Sequence, residues 1–422
     1  MRSLLSFRRG GESQPQPSAA RRDIRMKNLT LRYSITQFTF WAASTGAASF
    51  ATTYLLNCGI SSGAVGALLA AAGVLSCITQ PVLAGIADKS RRFQLLKMLI
   101  GMTFVGVVSF CIQLFPSVPV ALAGICYMVG VWSSDAMIPL TNALYISYTE
   151  VGFQINYGAG RGIGSAASAI SSLVLGYVIA QLGSTWMILL LIGFRLLCIL
   201  SLFGYPKIEK PKAEQSSTAH SCSIWAFFFR YRWYCASLAG ILFLGMYHAM
   251  TENYLIAILG RLGGDSSHVG TALFISAMAG APVIFCFQRV RKLLSNTRLL
   301  KIAACSFLLK AVLFYFAKSI GMIYLLQLLQ STSYAFLAPT QVYYAQAKVR
   351  QADMVKGQAF STAAYALGCS AGNFTGGQLL VFGVDAILIA GIIMALIGTI
   401  LLFATVTKSD FRNEVTANGK CL

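Results

Sequence analysis

Acidic side chains are scarce in this chain. Of 422 residues only 13 are Asp or Glu, against 33 Lys or Arg, and charged residues of both signs make up 11%. So thin a charged surface cannot coat a soluble protein of this size. Histidine is scarcer still, with three in all, and no two of the eleven cysteines form a CxxC pair. Cys77, Cys126, Cys198 and Cys369 lie inside apolar runs, where Cys acts as a small hydrophobe. Neither a disulfide framework, a metal site nor a cofactor is expected. A GxxxxGK[ST] phosphate loop is also missing, so ATP-driven work would need another subunit. The excess of cations could denote a nucleic-acid partner, but they cluster in short groups between apolar stretches, which is the pattern of membrane orientation. No nucleic-acid partner is expected.

What the chain does have is hydrophobic length, at 56% apolar residues. A helix crossing about 30 Å of hydrocarbon needs roughly 20 such residues. Suitable stretches are predicted at 31–56, 63–87, 95–115, 119–146, 155–182 and 184–205, then at 234–259, 268–288, 299–317, 320–346, 359–382 and 384–407. The expected fold is thus an all-α membrane protein of twelve transmembrane helices in two pseudo-symmetric six-helix bundles, 31–205 and 234–407. A central loop at 206–233 joins the bundles. Residues 1–30 read as a disordered cytoplasmic tail without a secretory signal, 408–422 as a second tail, and Met26 is an alternative start.

Basic residues fill every second loop: Lys89, Arg91 and Arg92, then Lys207, Lys210, Lys212, Arg230 and Arg232, then Arg289, Arg291, Lys292 and Arg298, then Lys348, Arg350 and Lys356. Cations gather on the cytoplasmic side, so both termini are expected there, in a multi-pass plasma-membrane protein. Only Arg261 and Lys318 break the pattern. The halves also echo each other. Pro139 and Pro339 each precede tyrosines (Tyr145; Tyr343 and Tyr344), Gly158 and Gly357 follow at matching offsets, and Gln94-Leu-Leu-Lys97 matches Arg298-Leu-Leu-Lys301. A parallel repeat of this kind suits two bundles related by an axis along the membrane normal.

The loop after the second stretch reads Gly85-Ile-Ala-Asp88-Lys89-Ser-Arg91-Arg92, and the fifth opens with Tyr157-Gly-Ala-Gly-Arg161-Gly-Ile-Gly164. With Pro139-Leu-Thr-Asn142-Ala and Tyr33, Gln37 and Trp41 of the first stretch, these segments resemble the major facilitator superfamily, in its lactose-permease-like and phenylpropionate-permease-like proton-symporter branch. The resemblance implies alternating access, with Gly85, Asp88, Arg91 and Arg92 as a gating loop and Arg161 in the substrate site. The chain departs from the sugar symporters where Asn142 and Thr271 replace expected acids, and its tenth stretch has neither acid nor His. Neither a galactoside specificity nor a lactose-permease proton relay is therefore expected.

Ionisable groups within hydrocarbon are costly, by about 2.5–3.5 kcal/mol on insertion scales, so each one present is a functional candidate. Asp135, Glu252, Arg161, Arg195, Lys310 and His248 qualify. Arg161 and Lys310, with Asn142, Gln37, Trp41 and Asn373, are the expected solute contacts, since guanidinium and ammonium groups give charge-assisted hydrogen bonds to carboxylates or hydroxyls. Asp135 first, then Glu252 with His248, are the expected ion-coupling groups, because a carboxylate shielded from water can exchange its proton in the working range. Each also has a structural reading: Asp135 as an ion pair with Arg195 or Arg161, Arg195 and His248 as satisfied bundle residues, Glu252 as a solvated outer group. Gln327, Gln330, Tyr334 and Gln341 could orient a solute or bridge helices. Gly160 and Gly164 form a GxxxG that lets helices approach, as do Gly66, Ala70, Gly73 and Ala84 in the second stretch.

The function expected is a monomeric secondary transporter importing a small organic solute with H⁺, Na⁺ being an alternative ion, in contact with membrane lipid. A proton-antiport exporter of drugs or metabolites on the same fold is the nearest alternative, followed by a channel or non-transporting receptor. No nucleophile, base and orienting acid recur at one depth, so an enzyme is not expected.

Overall fold

The computed structural model describes residues 19–89, 94–115, 117–206 and 223–408. All regular structure among these residues is helical. The twelve spans, in order, are Ala19–Ser49 continued by Ala51–Asn57, Ser62–Lys89, Gln94–Ile112, Val120–Glu150, Tyr157–Leu182, Ser184–Phe203, Arg232–Glu252 continued by Leu255–Gly260, Ser266–Phe285, Asn296–Tyr315, Ile320–Gln327 leading to Tyr334–Lys348, Met354–Leu379 and Val384–Thr405. Nine of them are long and apolar enough on composition alone to cross a membrane. The other three are the first, ninth and eleventh, and each carries the polarity that lowers its hydropathy: Thr36, Gln37 and Thr39; Arg298, Lys301 and Lys310; Ser361, Ser370 and Asn373. All of these except Arg298 and Lys301 are buried.

The first helix begins at Ala19 rather than near residue 31. The extra turns contain Ala, Arg and Met, with neither Pro nor Gly, so helix propensity holds where hydropathy does not. The tenth span is also not one continuous helix. A 3₁₀ turn, Leu328–Ser331, interrupts it, and Ser333 sits outside helical backbone geometry before Tyr334 restarts the helix. The run from Gln330 to Ser333 is polar, and Ser331, Thr332 and Ser333 turn their hydroxyls onto the carbonyls of Leu328 or Leu329, an alternative to helix continuation.

The repeat is deeper than the sequence motifs indicate. Pro81 lies inside the second span and Pro282 inside the eighth, as Pro139 and Pro339 lie inside the fourth and tenth. Gly183 and Gly383, about 200 residues apart, take the same left-handed turn (φ 91° and 101°) to open the sixth and twelfth spans.

Two kinds of core follow. One buried cluster joins both halves, bringing Phe50, Tyr54, Leu175 and Ile188 together with Leu255, Ile258, Val269 and Phe314. Two others stay within one half each: Tyr33, Leu99, Leu140 and Tyr148 in the first, and Tyr234, Leu300, Phe307 and Tyr344 in the second. The shared cluster lies at the face opposite the basic loops. There the second span crosses the eleventh where Gly66 meets Gly377, and the fifth crosses the eighth where Gly176 meets Gly270. At Gly176 a Cβ would lie 2.7 Å from the Gly270 Cα, closer than packed carbons approach, so only glycine allows this contact. The same face explains Arg261: it pairs with Asp385 at 2.7 Å and caps the carbonyls of Phe314 and Tyr315 at the end of the ninth span.

Candidate functional site

Between the halves, the first and fifth spans supply one wall. Gly160 and Gly164 do not simply bring two helix backbones together; a Cβ at either would collide with the ring of Tyr33 or of Trp41. The glycines therefore seat two aromatic rings of the first span against the fifth. Trp41 is held by its indole N–H, which donates to Gln37 Oε1 at 2.8 Å. The guanidinium of Arg161 lies over the Trp41 ring, 4.1 Å from its centroid. Stacking of this kind uses the face of the guanidinium and leaves its edge N–H groups available. Arg161 is half-buried and makes no side-chain hydrogen bond or ion pair to another described residue. Tyr145 and Tyr157 continue the aromatic lining beside Tyr33.

The opposite wall comes from the seventh, tenth and eleventh spans. His248 stacks on Tyr334 with ring centroids 5.2 Å apart and planes 10° off parallel, and Tyr365 tilts against both. Tyr334 is within electrostatic reach of Arg161, so the two walls face one another.

Beside this wall is a buried ion pair. Lys310 Nζ donates to Glu252 Oε1 at 2.8 Å, to Gln327 Oε1 at 2.7 Å and to Gln330 Oε1 at 3.2 Å. The 3₁₀ turn produces this cradle, since side chains three residues apart on a 3₁₀ helix eclipse each other and both amides point the same way. An ammonium has three N–H donors, and all three are in use. Lys310 is 1% exposed.

Lys310, expected as a solute contact, has its donors engaged by Glu252 and the two amides. Depth counted along each helix places Glu252 too far out to show this: the seventh helix ends at Glu252, and the break at Asn253 and Tyr254 lets the side chain turn inward. For the same reason Glu252 is not a solvated outer group. Asn373 is likewise engaged. Its Oδ1 accepts from Asn253 Nδ2 and its carbonyl from Tyr254 Oη, both at 2.6 Å, which ties the break to the eleventh span. Gln37 is buried behind Trp41. Asn142 is exposed and has no hydrogen bond to a described residue. Of the six expected solute residues, Arg161, Trp41 and Asn142 are at least partly exposed, while the side chains of Gln37, Lys310 and Asn373 are buried and hydrogen-bonded to other residues.

Asp135 forms no ion pair with Arg195 or Arg161 among the described residues, and its carboxylate accepts no hydrogen bond from them. Its backbone carbonyl accepts from Gln80 Nε2 at 2.9 Å, and its side chain is half-buried near Cys77 and Cys369, where the second, fourth and eleventh spans converge.

A family profile described as the MFS_1 like family matches residues 30–390. The chain belongs to this family, within the major facilitator superfamily. No curated protein matches the chain. Among solved structures, the crystal structure of the nucleoside transporter NupG has a TM-score of 0.77 at 15% identity, covering 91% of this chain and 99% of that one. A bacterial homolog to the human lysosomal transporter Spinster, inward-facing and occupied, scores 0.63 at 14% identity over 92% and 97%. A POT family transporter in complex with a thioalcohol-conjugated peptide scores 0.66 at 14% identity over 90% and 97%. At these identities the likeness is one of fold.

The loop after the second span is expected, from the family resemblance, to hold Gly85, Asp88, Arg91 and Arg92 as a gate. Gly85 is partly exposed, with no described atom near the place of a Cβ, and Asp88 lies in the last helical turn of that span. Arg91 and Arg92 lie outside the described residues. The sequence reading missed Tyr365; a repeat of about 200 residues pairs it with Ser165 or Ala166 of the fifth span, which carry no motif of their own.

Proposed function

We propose that this major facilitator protein is a proton-coupled importer of a small organic solute, working by alternating access at a site between its halves. The single observation that carries the reading is Arg161. It is a guanidinium at the interface, stacked on Trp41 with its N–H edge unclaimed, facing the His248–Tyr334–Tyr365 wall. Such an edge suits a carboxylate or adjacent hydroxyls, and the aromatic wall suits a planar or apolar body. A drug exporter taking cations would be poorly served by a site that presents an unpaired guanidinium to the solute.

Coupling is assigned to Asp135. With no cation at ion-pair distance among the described residues, it can gain or lose a proton without breaking a pair, whereas protonating Glu252 would cost the bond to Lys310. Glu252, Lys310 and His248 then serve as the element that senses solute, because His248 lies one helical turn from Glu252 on the seventh span. Asp88 acts as a latch on the basic face, which on this reading is cytoplasmic along with both termini, in the plasma membrane.

The test is binding to the purified chain in detergent, with uridine, 5-aminolevulinate, 3-phenylpropionate and a dipeptide as probes. Arg161→Lys keeps the charge and loses the planar fork, so affinity for the solute that binds should fall by about one to two powers of ten. Equal affinity in Arg161→Lys would overturn the assignment.

A further inference from the structure

Three cations gather at the basic face, at the ends of the seventh, tenth and twelfth spans. Arg232 and Lys408 both lie against the ring of Trp233, with the Arg232 guanidinium carbon 5.5 Å and Lys408 Nζ 3.7 Å from its centroid. Lys348 donates to the Lys408 carbonyl at 2.5 Å and so brings a further ammonium alongside. Arg232 and Lys408 are exposed, and neither pairs with a carboxylate among the described residues. Like charges on one aromatic ring repel each other, and an anion between them relieves the repulsion.

Aromatic side chains mark the level of this cluster in the bilayer. The short helix Ile224–Arg230, just before the seventh span, leaves Trp225 76% and Phe229 81% exposed, one turn apart on the same side. Such rings are costly in water and are at home among lipid headgroups. Toward the bilayer centre a furrow opens. The seventh and twelfth spans meet so closely that a Cβ on Gly398 would lie 2.9 Å from the Gly240 carbonyl oxygen. Arg232, Ala236 and Ala239 recur at helical spacing on the seventh span, and Ile397, Leu401 and Ala404 do so on the twelfth and lead to Lys408; all are at least partly exposed. In antiparallel helices that meet at these glycines, the two rows fall on the same side of the contact, facing lipid. The small side chains of Ala236, Ala239 and Ala404 leave room there, and the furrow runs up to the cations.

We propose that this furrow binds one anionic phospholipid from the leaflet at the basic face. Its phosphodiester sits between Arg232 and Lys408, and an acyl chain lies along the furrow. A zwitterionic headgroup would bring its own ammonium into a cluster of like charge, so the site selects a lipid of net negative charge. The lipid ties the seventh span to the twelfth within one half of the molecule, independently of any transported solute.

The test uses the purified full chain in phosphatidylcholine nanodiscs that contain brominated phosphatidylglycerol or, separately, brominated phosphatidylcholine. Bromine quenches tryptophan fluorescence on contact, and the signal lost in Trp233→Phe isolates this site from the other tryptophans. Quenching at Trp233 should show a preference for phosphatidylglycerol of about thirtyfold, above that at Trp225, which reports general enrichment at the basic face. Arg232→Gln with Lys408→Gln should abolish the preference, and Lys408→Gln alone should lower it about fivefold. Equal preference at Trp233 and Trp225 means a diffuse ionic atmosphere only and overturns the proposal, as does a preference that survives both substitutions. Displacement of the lipid by glycerol phosphate would show that a free phosphate fills the site, and overturns it too. If the double variant does not fold, Lys408→Gln decides alone, and an unchanged preference in that variant rejects the site.

Discussion

Lys310 and Arg195 are both buried cations, but they are satisfied in different ways. Lys310 has a carboxylate and two amide oxygens for its three donors, whereas Arg195 has only neutral oxygens and a ring. The two should therefore respond differently to removal of a partner. Lys310→Met strands the Glu252 carboxylate in the interior, which typically costs about 3–5 kcal/mol. Lys310→Met combined with Glu252→Gln removes both charges and should recover most of that loss. The check is denaturant or thermal stability of the purified single and double variants. If the double variant is as unstable as the sum of the singles, the pair is not what holds this region. Arg161 belongs at this scale too, and the glycine-flanked motif that opens the fifth span singled it out in the sequence before its place over Trp41 was seen. Lys310 was not legible, because its partner is set by a helix break and a 3₁₀ turn that hydropathy does not register.

The elements most readable from sequence were the spans, since length and apolarity alone fix what can cross a bilayer. The first, ninth and eleventh were placed by apolar length like the rest, in spite of the polar residues that lower their hydropathy. What stayed hidden was interruption. The broken tenth span is apolar enough on average to read as one helix despite the polar run from Gln330 to Ser333, and the early start at Ala19 reflects propensity in a polar stretch. The GxxxG in the fifth span was legible as a close approach, but not that its partners would be the Tyr33 and Trp41 rings. The glycine crossings make a prediction of their own. Gly176→Val should wedge the fifth span off the eighth and open the face opposite the basic loops. A cysteine at Ser172, now buried beneath that crossing, should then react with an impermeant maleimide about tenfold faster than in the parent chain. Unchanged labelling would show that the crossing does not close that face.

At the scale of the whole molecule, the halves share one core at the face opposite the basic loops and keep separate cores toward the basic face. That asymmetry is what an inward-facing state requires if the basic face is cytoplasmic. Orientation can be checked with exposed positions on each side: a cysteine at Ser117 should be labelled from outside intact cells above the native-cysteine background, and one at Lys292 should not. The reverse pattern would invert the molecule and turn this conformation into an outward-facing one. The central claim, solute accumulation driven by protons through Asp135, is tested most directly by uptake into proteoliposomes. The experiment uses whichever of uridine, 5-aminolevulinate, 3-phenylpropionate or a dipeptide binds the purified chain, under an imposed inward proton gradient. The account predicts saturable accumulation above equilibrium by the parent chain, and in Asp135→Asn exchange of solute across the membrane without accumulation. Accumulation by Asp135→Asn equal to that of the parent would contradict it.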